Sequence, residues 1–154
     1  MVAHLKLIYS LKRLYWLITG PALIIFACLF MVDHWVGQPQ KPGGPLLPGI
    51  WHGILFTGAA ATAIAGPLMM RITFAHTVRQ NACVQIKPFL AFQRRLIVLS
   101  GITPYLALIG AWGKLSQFHA GGIILMALYG AYYYFPSEKR ISHDFKLFRV
   151  ALHD

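Results

Sequence analysis

Long apolar runs separated by short basic or turn-rich stretches make up most of this chain. "LYWLITGPALIIFACLFMV" covers 14–32 and "LPGIWHGILFTGAAATAIAGPLMM" covers 47–70. "LIVLSGITPYLALIGAW" covers 96–112, and "FHAGGIILMALYGAYYYF" covers 118–135. Each run approaches the roughly 20 residues a helix needs to cross a bilayer. None alternates with period two, so barrel strands are not indicated. Backbone placed in lipid must pair its own polar groups, which makes each run a helix. The third run is the shortest and contains Pro104. The pattern predicts an all-α membrane four-helix bundle, a single domain over 1–154.

The polar intervals add detail. Residues 32–49 hold four prolines and four glycines, the composition of an irregular excursion rather than a folded domain. The interval 71–95 has little punctuation. Its Ile86, Phe89, Leu90 and Phe92 among basic residues fit either a short amphipathic helix on the inner membrane surface or an ordinary basic loop. Runs three and four are separated only by "GKLSQ" and should form an antiparallel hairpin. Small residues are frequent in run two, where "GIWHG" has the GxxxG spacing and "GAAATAIAG" follows. Small side chains let helices approach closely where lipid removes the hydrophobic drive, so run two should be central.

Composition agrees with the pattern. Of 154 residues, 57% are hydrophobic and only 12% charged, about half the charge of a soluble domain. The net charge of +10 would suit nucleic acid, but the basic residues lie between apolar runs, as topology signals do. Twelve of the 14 Lys and Arg fall in the N-terminal tail, the 71–95 interval or the C-terminal tail, leaving Lys41 and Lys114. The positive-inside rule then places both termini in the cytoplasm, which implies a multi-pass protein of a bacterial inner membrane. The charged start before run one resembles a signal peptide, but the run is too long and no small-x-small cleavage site follows.

Candidate chemistry is confined to histidines and basic side chains. Cys28 lies in run one and Cys83 in the basic interval, with no CxxC, zinc or iron–sulfur spacing. No Asp or Glu lies inside a run, which disfavours proton-coupled transport. No nucleophile–base–acid set, phosphate-binding glycine loop or metalloprotease motif is present. His52 and His76 in run two are separated by about 36 Å of helix and cannot share one ligand.

On the outer side, His52 shares a helical face with Ala59, Ala63 and Gly66, and His119 with Gly122, Met126 and Gly130. Histidines with small residues deeper on the same face suit haem b held between helices, with imidazole ligands and room for the ring. His34 is the substitute ligand. The same outer histidines also suit a single metal ion such as copper, or interfacial anchoring beside Trp35, Trp51 and Trp112. On the inner side, Arg71 and His76, with Arg94 and Arg95, are candidates for contact with membrane lipid or another anionic group.

A span beginning with histidine and ending in "FAH", then "QRRLIVLSGITP", then a last span beginning with histidine, resembles small bacterial membrane proteins of haem and copper pathways. Protoporphyrinogen-oxidase-like and copper-resistance-D-like proteins are the two groups. The resemblance covers about half the chain and implies a helical membrane domain. The oxidase pattern has a lysine soon after the last-span histidine where this chain reads "FHAGG", so no catalytic residue is carried over. Two functions remain as expectations. One is an accessory subunit of a larger, energy-converting membrane complex. The other is a haem b or other tetrapyrrole protein in electron transfer or tetrapyrrole processing.

Overall fold

The computed structural model describes residues 2–35, 47–79 and 84–150, with backbone alone at 2–6, 30 and 33–35. The described residues are helical and contain no strand, only an isolated bridge between Val84 and Val150. Five helices follow in order: α1 (Val2–Trp35), α2 (Gly49–Val78), α3 (Ile86–Trp112), α4 (Gln117–Tyr133) and α5 (Glu138–Leu147). Among these, α1, α2 and α3 are long and apolar enough to cross a membrane. With 17 residues, α4 is somewhat shorter than a full bilayer crossing normally requires.

The first three helices extend past the apolar runs at their basic ends. Arg71 lies within α2, well before its end at Val78. The 86–95 stretch is neither a surface helix nor a loop, because it is the first half of α3. Its Phe89 and Phe92 are buried, so their apolar face meets the protein instead of lipid.

Two helices are broken in their middle, and each break has a proline as its cause. In α2, Pro67 lacks an N–H and its ring crowds the carbonyl one turn back. The helix opens into a π turn at Ala61–Ala65, and the Gly66 N–H donates to Ala61 O. In α3, Pro104 follows an irregular Ile102, whose N–H reaches back to Leu99 O at 3.3 Å. The two breaks face each other, and the Thr62 and Thr103 hydroxyls hydrogen-bond at 3.0 Å. Thr103 is fully buried. Thr62 Oγ1 also lies 2.9 Å from Gly58 O, a local bond that tends to bend helices.

Side chains form two separate cores. The larger joins Ile8 and Leu11 of α1, Phe89, Phe92, Leu96 and Ile97 of α3, Ile141 and Phe145 of α5, and Phe148 after it. The smaller joins Leu55 and Ala59 of α2, Ala107 of α3, Leu115, and Ile123 and Ala127 of α4. All described basic residues except Lys114 belong to segments around the first core. Tyrosine hydroxyls fasten α1 to the rest: Tyr15 donates to Ala131 O and Tyr105 to Ile18 O, both at 2.7 Å.

Small residues behave unevenly. A Cβ on Gly66 would come within 2.7 Å of Leu99, and one on Gly122 within 2.5 Å of Phe56. These are the close approaches expected of small residues. A Cβ on Gly49 or Gly53 of the GxxxG motif would meet nothing within 4 Å among the described residues. Among the described residues, close packing on α2 is seen deeper, at the fully buried Ala59 and Ala63.

Phe89 is fully buried whereas Phe118 is 77% exposed. Phe89→Ala should destabilise the protein by about 3–5 kcal/mol through loss of burial and cavity formation, while Phe118→Ala changes it little. Thermal unfolding in a mild detergent, followed by circular dichroism, checks the contrast.

Candidate functional site

Two polar constellations occur, one at each end of the helices. The first surrounds Arg71. Its Nη2 donates to both carboxylate oxygens of Asp144 at 3.1 Å. Gln93 Nε2 donates to Asp144 Oδ2 at 2.8 Å. The Arg71 Nη1 lies 3.5 Å from the Tyr133 hydroxyl, at the outer limit of a hydrogen bond. Asp144 is 2% exposed, so its charge has left water and depends on these donors.

Every helix but α1 contributes to this set: Arg71 from α2, Gln93 from α3, Tyr133 from α4 and Asp144 from α5. Local sequence explains how Asp144 arrives. Ser137 caps α5 by accepting the Arg140 N–H at 3.3 Å. Ile141, Phe145 and Phe148 then recur at spacings of four and three, a helical stripe. All three are buried in the large core, and Asp144 shares their side of the helix. Arg140 lies over the Tyr133 ring at 4.2 Å, and Tyr129 stacks on Tyr133 at 5.2 Å. Arg71 Nε is buried without a hydrogen-bond partner among the described residues.

Arg71 is thus engaged by a carboxylate of its own chain. His76, Arg94 and Arg95 do not join it. All three are exposed and remain available to solvent or headgroups. Asp144, Gln93 and Tyr133 were not singled out from the sequence. The signal for Asp144 was the capped, periodic "SEKRISHDFKLF", read there only as a basic tail.

The second constellation is at the other end. His52 of α2 and His119 of α4 approach with ring centroids 5.5 Å apart and planes at 53°. Both histidines are half-buried. His52 Nε2 is buried and meets no hydrogen-bond partner among the described residues. His119 Nδ1 is 2.7 Å from Ser116 Oγ. Phe56 and Phe118 stand edge-on to His119, with centroids at 5.8 and 5.5 Å. The pairing expected from the helical faces is therefore present. Room above Gly122 is not, because Phe56 occupies it. The side chain of His34 lies outside the described residues. No group of three or more His, Cys, Asp or Glu suited to a metal forms among the described residues.

Chemically, the Arg71–Asp144 set ties helices together and the His52–His119 pair offers nitrogen donors. Among the described residues, neither includes a nucleophile poised by a base. Removing one partner of a buried ion pair strands the other charge, at a cost of about 3–5 kcal/mol. Arg71→Ala should therefore loosen α5 and speed tryptic cleavage at Lys139, Arg140 and Lys146. Replacing the exposed Arg94 in the same way should leave the rate of cleavage at Lys139, Arg140 and Lys146 unchanged. Compared with known proteins, the chain matches no family model, no curated protein and no solved structure, so its resemblance to haem- and copper-pathway proteins gains no support from relatives.

Proposed function

We propose that this chain is a small, non-catalytic subunit of a larger membrane assembly. In this reading it crosses a bacterial inner membrane four times, with α4 as the fourth span and both termini in the cytoplasm. An energy-converting complex is the host that suits it best. The observation carrying the proposal is the unused GxxxG face of α2, where Gly49 and Gly53 meet nothing within 4 Å among the described residues. Such a face is built for the close approach of another helix. Topology rests on the basic asymmetry, with 12 of 14 Lys and Arg assigned to one side.

Gentle detergent extraction and native mass measurement test the assembly. The expected result is a complex much heavier than 17.2 kDa that Gly53→Leu reduces. A stable monomer with turnover of its own would overturn it. Reporter fusions at Pro42 and after Asp154 test the topology. Alkaline phosphatase should be active at Pro42 and inactive after Asp154.

A second reading starts from His52 and His119 meeting between α2 and α4, with ring centroids 5.5 Å apart that must separate by about 1 Å to sit on opposite sides of one iron. Here the chain carries haem b or another tetrapyrrole, with these histidines as axial ligands, in electron transfer or tetrapyrrole processing. It requires Phe56 to swing off Gly122 to admit the ring. Purified protein should then show a Soret band that His52→Ala and His119→Ala each abolish and His76→Ala preserves.

A further inference from the structure

The geometry of the outer histidine pair points to a site for a tetrahedral divalent metal ion of the zinc class, bound by His52 and His119. This goes beyond both readings above and depends on neither.

Distance selects the metal geometry. An imidazole nitrogen lies about 1.1–1.2 Å from its ring centroid and binds zinc at about 2.0–2.1 Å, so each centroid stands roughly 3.2 Å from the ion. Two centroids 5.5 Å apart then subtend about 120° at the metal, close to a tetrahedral angle. Ligands in trans, as at a six-coordinate haem iron, would hold their centroids about 6.4 Å apart on the same reckoning. The 5.5 Å centroid separation is shorter than a trans pair needs and matches a tetrahedral one once both Nε2 atoms turn toward the ion. Phe56 fills the space over Gly122 that a macrocycle would need and stands edge-on to His119.

The surroundings of both rings prepare nitrogen lone pairs. His52 Nε2 is buried without a hydrogen-bond partner among the described residues, an arrangement that a bound cation relieves. His119 is held through its other nitrogen, Nδ1, by Ser116 Oγ at 2.7 Å. With Nδ1–H donating to that oxygen, Nε2 is left as the ligand, the usual way a metal-binding histidine is oriented. Ser116 occupies the N-cap position of α4, yet its side chain makes no capping bond to the helix. A serine there ordinarily accepts a backbone N–H of the first turn. Its hydroxyl serves His119 instead. Water completes the two remaining coordination positions.

Cobalt(II), whose tetrahedral complexes are intensely coloured, is the probe. Titrated into the purified full-length protein in mild detergent, Co(II) should produce visible ligand-field bands with one equivalent bound, and Zn(II) should bleach them. His52→Ala and His119→Ala should each abolish the bands while circular dichroism confirms an unchanged helical fold. His76→Ala should retain them. Ser116→Ala should weaken binding by about 10–100-fold, the usual effect of removing a ligand's hydrogen-bond partner. The proposal is overturned by a folded protein that gives no tetrahedral spectrum, by a spectrum that survives both histidine substitutions, or by a Soret band showing both histidines taken by haem.

Discussion

A buried carboxylate needs donors, and in this protein that need ties one end of the molecule together. Asp144 reaches the interior only because Arg71 and Gln93 meet it. Its helix, α5, is short and polar on its outer side, and ten residues alone make a marginal helix in water. The helix persists by inserting Ile141 and Phe145 among Phe89, Leu11 and Ile8. The ion pair fixes where that insertion happens. Replacing such a pair with well-fitted apolar groups is often neutral for stability, so its value here lies in register. An apolar stripe alone would let α5 slide along the aromatic floor, whereas Asp144 has one place to go.

The middle of the molecule obeys a different constraint. Prolines interrupt α2 and α3, and a broken helix in an apolar setting must re-satisfy the freed groups locally. The π turn gives Ala61 O the Gly66 N–H, and Thr62 supplies a hydroxyl toward the same region. Thr103 answers it from α3. Two irregularities that would each be awkward alone are placed opposite one another and share a hydrogen bond. The lock at the basic end and this pairing at mid-height together set the rotation of α2 about its axis. His52 therefore points at α4, whereas Gly49 and Gly53 meet no described neighbour.

Much of the helical layout was legible in the sequence, and the reasons for the rest are physical. Hydropathy located the four apolar runs because apolar length is a direct readout of helix-forming segments in lipid. It placed their basic ends too early, since a helix does not stop where hydrophobicity stops. Arg71 and Arg94 continue their helices because they have protein or solvent to face. The first half of α3 was ambiguous for the same reason: Phe89 and Phe92 among arginines look alike whether the apolar side meets lipid or α5. The approach of His52 to His119 is one arrangement that helical faces carrying a histidine and small residues suggest, although the faces alone do not dictate it. The Arg71–Asp144 contact has no such signal, because its partners are 73 residues apart and only the folding back of α5 brings them together. Phe56 filling the space above Gly122 was equally hidden, since a glycine announces a close approach without saying what approaches.

The two ends of the molecule are built to different standards, and that difference bears on what the protein does. At the basic end, aromatic rings stack in a continuous core, with Phe74 on Phe92 at 4.2 Å and Phe89 on Phe145 at 4.9 Å. At the other end the core is small, and Trp112 is 79% exposed. Lipid covers exposed apolar side chains without penalty, so exposure alone does not call for a partner. A glycine face is another matter, because lipid gains nothing from the missing side chains and a neighbouring helix gains close contact. The open glycines of α2 and the histidine pair lie at this thinner end. This thinner end is where we propose a neighbouring helix beside α2 and an ion between α2 and α4, while the locked basic end keeps both helices in place.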